Sequence, residues 1–209
     1  MLTFRSVPQA MSFIIKLSRY LKGRSRPSRR QNQRYLEARG ESLSSLIFRD
    51  ATSDDIPKLA ALHVKTWNAT YPSVRKPPTF AIREWQWREA FEKNDGSWFC
   101  IVVENRAGEL IGFAKGIFTE QHAGDLSKIY LLWEYHRLGL GRKLVGIVVR
   151  RFMERGVNKM MVVADGKNPS CNFYEKLGAV HLARPNGRIS QGGYVWHDLA
   201  KLSALCPEG

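Results

Sequence analysis

The apolar positions of this chain change their period repeatedly, and each change marks a predicted element. LIFRD (46–50) alternates as a strand. In the following TSDDIPKLAALHVKTW, the residues Ile56, Leu59, Ala60, His63 and Trp67 recur at helical spacing, and Pro57 falls in the first turn, where its missing N–H does no harm. PSVRKPP reads as a loop, and TFAIREWQWREAFEK as a second helix with Phe80, Trp87, Ala90 and Phe91 on one face. SWFCIVVE, the turn NRAGE and LIGFAKGIF predict an antiparallel pair, and DLSKIYLL a further strand. GLGRKLVGIVVRRFMERG predicts a long helix, NKMMVVA a strand, PSCNFYEKLG a short helix closed by Gly178, and VHLAR and GGYVWHDL the last two strands. The order predicts a single α+β (α/β layered) domain over residues 45–203, with a mixed, mostly antiparallel sheet flanked by helices and a short tail at 204–209.

Composition qualifies this picture at the N-terminus. With 209 residues, 44% hydrophobic and 25% charged, the chain suits one soluble globular domain. No apolar run approaches the ~20 residues of a transmembrane helix. The formal charge of +14 is concentrated: residues 1–46 hold ten basic residues against Glu37 and Glu41, so the remainder is only about +6. Residues 1–44 therefore read as a basic leader, either a disordered tail or a start placed too early, with an organellar transit peptide as the alternative. Its sparse apolar content predicts that a chain starting near Ser44 stays folded and active. Cys100, Cys171 and Cys206 have neither disulfide-framework nor metal-ligand spacing, which points to a reducing, cytoplasmic setting and no metal.

The segment IYLLWEYHRLGLGRKLV (129–145) carries the most chemistry. A strand ends, a turn with Gly139 and Gly141 follows, and a helix begins at once. The glycines let an anion approach the backbone, and the first-turn N–H groups with the dipole behind them favour phosphate. Arg137, Arg142 and Lys143 add positive charge on or near the turn. The Walker string is absent, and Leu144 stands where a dinucleotide fingerprint needs its third glycine.

YHRLGLGRKL resembles the acetyl-CoA loop of the GNAT acetyltransferase superfamily, and NPSCNFYEKLGA resembles that superfamily's second signature about 30 residues downstream. The resemblance covers residues 46–200. It departs at His136, which stands where Gln or Arg is usual, and at the six-residue spacing from Asn168 to Tyr174. It implies acetyl-CoA as donor and direct attack by an amine, with Tyr174 as the acid that protonates the departing sulfur. The backbone of Ile129, Tyr130 and Leu131 would meet the pantetheine arm, with an N–H near Leu131 polarising the thioester carbonyl. Arg137, Leu138, Gly139, Leu140, Gly141 and Arg142 would cradle the pyrophosphate, and Asn168 would bind pantetheine or orient the site. Asp125 is the candidate base, with Glu120 and His122 as weaker ones. Trp67, Tyr71, Trp85 and Trp87 fall in the two helices that would wall the acceptor pocket, though packing alone accounts for most of them.

The acceptor stays open between an amine-bearing small molecule and a protein amine, and a homodimer is compatible with the reading. A basic RNA- or ribosome-associated binding protein is the rival class, argued against by the lack of interleaved aromatics and nucleic-acid motifs. A non-catalytic acyl-CoA-binding member of the same fold is the other.

Overall fold

Seven strands alternate as the sequence predicts and share one sheet in the order β1-β2-β3-β4-β5-β7-β6. They are β1 Ile47–Asp50, β2 Trp98–Glu104, β3 Leu110–Thr119, β4 Ala123–Leu131, β5 Lys159–Val163, β6 Val180–Ala183 and β7 Ile189–Trp196. The computed structural model describes residues 27–72, 74–119, 123–166, 168, 170–183 and 189–206. Every pairing is antiparallel except β4 with β5. This is the mixed, mostly antiparallel α+β sheet expected of the pattern.

Two irregularities in β4 set up the site. Lys128 faces Lys115 and Leu126 faces Gly116, so Ser127 is an extra, unpaired residue in the ladder. The bulge shifts side-chain alternation by one. Asp125 opposite Ile117, Lys128 opposite Lys115 and Tyr130 opposite Phe113 therefore share one face of the sheet. The second irregularity is a parting of strands. β4 and β5 pair only at Ala123–Asp125 against Lys159–Met161. Beyond that, β5 pairs with β7 alone, and β4 runs on to Leu131 with no described strand on that side. A wedge opens between the C-terminal halves of two parallel strands.

Helices cover both faces. α1 spans Arg29–Ala38, α2 Ile56–Thr70, α3 Phe80–Lys93, α4 Leu140–Glu154, α5 Cys171–Lys176 and α6 Leu199–Leu205. α4 buries Leu144, Val145, Val148, Val149 and Phe152 on one stripe, as its 3.6 period dictates. Phe152 lies where β4 has Gly124, and a Cβ there would come within 2.6 Å of the ring. This core continues through α5 and α6 to Cys206. α2 and α3 build a smaller core on the other face from Leu59, Leu62, Trp87, Val102 and Phe113. Thr79 caps α3 by accepting from the Ile82 N–H at 3.3 Å. Phe80, expected on its buried face, is instead 43% exposed, and Trp85 61%.

The N-terminal boundary differs from the sequence expectation. Residues 29–38, assigned to a leader, form α1, opened by a capping box between Ser28 and Gln31. Leu36 is buried in the larger core. Asn32, also buried, donates from Nδ2 to the carbonyls of Trp133 and His136, both at 2.8 Å. The Tyr135 hydroxyl meets Glu41, and Arg39 bonds Glu41 at 2.6 Å and Glu109 at 3.2 Å. Leu36, Tyr35 packed edge-on to Tyr135, and the Asn32 amide, too few to make a pattern in a basic sequence, fasten this helix. The C-terminal boundary also moves, since α6 runs past 203 and Cys206 is fully buried. Residues 1–26 lie outside the described residues.

Candidate functional site

The turn before α4 is built for an anion. Arg137 has φ +64°, the one non-glycine among the described residues in the left-handed region, and Gly139 follows at φ +90°. Two such residues within three positions reverse the chain, and Gly139 does it without a Cβ penalty. Gly139 is the N-cap of α4 and offers no side chain, so the amides of Leu140, Gly141 and Arg142 have no intrahelical acceptor. A Cβ on Gly139 would meet nothing within 4 Å, and one on Gly141 would lie 3.5 Å from Phe173. The approach to these amides is open. Leu140 is buried and Leu138 partly so, which leaves only their backbone for an anion, while Arg137 and Arg142 are exposed. Lys143 turns away, its ammonium 4.8 Å from the centre of the Phe48 ring.

The wedge leads to this turn. Leu132 N–H donates to Ile111 O of β3 at 2.9 Å. Alternation then turns the N–H groups of Leu131 and Ile129 away from β3, into the wedge. The Leu131 carbonyl on that side accepts from His136 Nε2 at 3.0 Å if the ring carries its proton there. His136 also stacks on Trp133 at 5.3 Å, so the residue that departs from the family pattern holds the turn's own geometry. Tyr130 faces the opposite side, against His63 and Phe113.

Across the wedge, α5 presents Tyr174. Its ring is buried, packed near Phe173, Tyr194 and Trp196. Burial, with help from Tyr130, Cys171 and Tyr71, pushes its hydroxyl well above the ordinary phenol value. The group is held protonated. Among the described residues its hydroxyl has no hydrogen-bond partner, whereas the Tyr194 hydroxyl donates to Glu175 at 2.8 Å. Asn168 is committed on both ends: Oδ1 accepts from Ser170 N–H at 2.9 Å, and Nδ2 donates to the Tyr71 hydroxyl at 3.2 Å. It orients Tyr71 and the start of α5. Tyr130, Tyr71 and Tyr174 thus converge at the end of β4.

Asp125 sits two same-face positions back along β4. Burial raises its carboxyl above the usual range, opposed by Lys128. Glu120 and His122 lie outside the described residues. Beside Asp125, between α3 and the sheet, is a pocket of about 390 Å³, a size that suits a small molecule. Sequence reasoning missed its charged lining: Arg83 from α3, Lys115 from β3 and Lys128 from β4. The signal was a lysine in the middle of each of two apolar strands, LIGFAKGIF and DLSKIYLL. Burial pushes Lys115 down to about 8 and lowers Lys128 and Arg83 as well. Lys115 lies 4.3 Å from the Trp98 ring centre and 5.5 Å from that of Trp87. The four buried side-chain nitrogens without partners among the described residues are His63 Nδ1, Arg83 Nε, Trp87 Nε1 and Trp98 Nε1. All four belong to residues lining this pocket. Each such group costs about 1–3 kcal/mol while it stays unsatisfied. Among the described residues no cluster of His, Cys, Asp and Glu has the makings of a metal site, and no helix is long and apolar enough to cross a membrane.

Both the sequence and the fold have relatives among known proteins. Residues 59–179 match the model of the acetyltransferase (GNAT) family. An uncharacterised N-acetyltransferase of Bacillus subtilis (strain 168), YuaI, is 31% identical over 169 residues, covering 75% of this chain and 96% of YuaI. The PaiA N-acetyltransferase of Thermoplasma acidophilum, solved with coenzyme A, superposes with a TM-score of 0.56 at 17% identity, over 72% of this chain and 98% of that one. The spermidine N-acetyltransferase of Vibrio cholerae, solved with CoA and spermine, gives 0.57 at 18%, over 76% and 98%. With the family model spanning more than half of its length and a relative aligned almost end to end, the chain belongs to the GNAT acetyltransferase family.

Proposed function

We propose that this enzyme transfers the acetyl group of acetyl-CoA to a primary amine by direct attack, as a cytoplasmic N-acetyltransferase. The observation that carries the reading is the wedge between β4 and β5, which ends at the uncapped N-terminus of α4. An extended arm fits along the free edge of β4, and a pyrophosphate fits the open amides of Leu140, Gly141 and Arg142. Arg137 and Arg142 add charge at its mouth, and Leu138 and Gly139 shape the turn. Acetyl-CoA supplies an activated thioester carbonyl. The Leu131 N–H, turned into the wedge, donates to that carbonyl oxygen. Three free, buried thiols fit a reducing compartment.

The residues around the wedge then divide the proton work. Asp125, its carboxyl raised above the usual range by burial, takes a proton from the incoming ammonium. The neutral amine forms the new C–N bond as the C–S bond breaks. Tyr174, kept protonated by its surroundings, gives its proton to the leaving sulfur. The second amine proton returns to Tyr174 through solvent, so one proton is released per turnover. Tyr71 and Asn168 orient the α5 side of the wedge.

Binding tests the reading directly. The thermal midpoint of the purified protein should rise with acetyl-CoA concentration by mass action. Gly139→Val, which forces a β-branched residue to φ +90°, should abolish that rise. No rise in the wild type at millimolar acetyl-CoA overturns the reading.

A further inference from the structure

We propose that the acceptor is a small amine whose far end carries an anion, a carboxylate or a phosphate, held by Arg83, Lys115 and Lys128 in the pocket between α3 and the sheet. The proposal deepens the acetyltransferase reading and rests on it for the amine's fate, though not for the anion's binding.

Three observations converge on this pocket. The first is charge. Of the two carboxylates in the lining, Glu89 pairs with Lys93 at 3.6 Å, and Asp95 is turned to the N–H and hydroxyl of Ser97. Among the described residues, Arg83, Lys115 and Lys128 form no ion pair within bonding distance, and Asp125 is the nearby acid that favours charge on Lys128. His63 adds no charge, because burial, Arg83 and Lys128 push its imidazole down to about 3.

The second is donor capacity. Arg83 Nε and the indole nitrogens of Trp87 and Trp98 only donate, and all three lack acceptors among the described residues. A ligand that completes such a pocket is rich in acceptor oxygens and poor in donors. A carboxylate or phosphate meets that description, and a polyamine does not. Burial of Lys115 and Lys128 opposes their charge, and an anion between them offsets that opposition.

The third is position. The bulge at Ser127 places Lys128 on the same face as Asp125 and Tyr130, between them along β4. An anion held at Lys115 and Lys128 has Asp125 on one side of it along β4 and Tyr130 with the wedge on the other, so a short molecule reaches either from there. The indoles of Trp87 and Trp98 line its stem.

The test uses matched acceptors in an assay that reads free thiol from acetyl-CoA. Amino acids should be acetylated in preference to their carboxamides, and aminoalkyl phosphates in preference to the corresponding amino alcohols. The two pairs distinguish carboxylate from phosphate. Lys128→Met and Lys115→Met should each raise the acceptor KM about ten- to a hundredfold while leaving the acetyl-CoA thermal shift unchanged. Preference for spermidine or for the uncharged member of both pairs overturns the proposal, as does an unchanged KM in both variants. A second readout is independent of turnover. Acetate and inorganic phosphate, titrated into CoA-saturated protein, should perturb tryptophan fluorescence, and Lys128→Met should weaken the response about tenfold. Anion binding without acetyl transfer would overturn the acetyltransferase reading and spare the pocket. Transfer with no anion response in any titration would do the reverse.

Discussion

The two faces of β4 are packed by different rules. Ile129 and Leu131 point into the core beneath α4, which is apolar and continuous from Leu36 to Cys206. Asp125, Lys128 and Tyr130 point to the α2/α3 face, where the core is smaller and ends in a charged pocket. All four partnerless buried nitrogens among the described residues lie on that second side. The difference matches a division of labour. The first face holds a backbone turn in one geometry, so dense apolar packing suits it. The second holds groups that are costly without a ligand and that specify one when it is present. The same chemistry can then be retained while specificity changes across the sheet.

Tyr174 offers the sharpest way to break this comparison, because it belongs to the first face by packing and to the reaction by chemistry. Tyr174→Phe keeps the ring contacts with Tyr194 and Trp196 and removes only the hydroxyl. Turnover should fall by about two to four orders of magnitude, with acetyl-CoA affinity little changed. Stability should fall by less than ~1.5 kcal/mol, since no hydrogen bond to that hydroxyl from the described residues is lost. Near-wild-type rates in single-turnover measurements would make Tyr174 a packing residue and leave the first face purely structural. Asp125→Asn, on the second face, should instead show a defect that shrinks at high pH, where the amine loses its proton unaided.

How far each region could be read from sequence follows the same division. The turn before α4 was legible because its function needs particular backbone, and backbone demands appear as glycines: Gly139 at φ +90° is a local requirement. The strands and long helices were legible from their periods. The pocket was not, because Lys115 and Lys128 come from separate strands and Arg83 from a helix, and only the bulge at Ser127 aligns them. A bulge leaves no mark in an alternation read from one strand alone. Asn32 and Leu36 went unnoticed for a related reason. The partners of Asn32, the carbonyls of Trp133 and His136, lie a hundred residues away, and the one local mark of α1 is the capping pair Ser28 and Gln31.

The α1 contact sharpens the comparison from the other end, since it braces the first face at the turn itself. Leu36→Ala should cost about 2–4 kcal/mol, by lost burial and the cavity left behind. Removing residues 1–38 should cost at least as much and should weaken acetyl-CoA binding, because the Trp133 and His136 carbonyls lose Asn32. Denaturant unfolding of both forms measures this. A truncated protein as stable and as avid for acetyl-CoA as the full chain would return α1 to the status of a leader.

The smallest effect expected lies on the second face and is visible only in acid. His63 is 2% exposed, enclosed by Trp87, Phe113 and Tyr130, and disfavoured as a cation by Arg83 and Lys128. Its folded value of about 3 lies below the ordinary 6.5 it regains on unfolding. Between those values the unfolded chain binds a proton that the folded chain refuses. Stability from this residue is therefore complete above pH 6.5 and is lost progressively as pH falls toward 3. At pH 5 the loss should be about 2 kcal/mol relative to pH 7, from one proton over 1.5 units. His63→Phe keeps an aromatic ring among aromatic neighbours and removes the titration. The variant should lose about 2 kcal/mol less than the wild type between pH 7 and pH 5 in urea unfolding. It also removes the partnerless Nδ1, so at pH 7 its stability should be equal or slightly higher. An equal drop in both proteins would mean that His63 charges in the folded state, and that the second face already holds an acceptor for it.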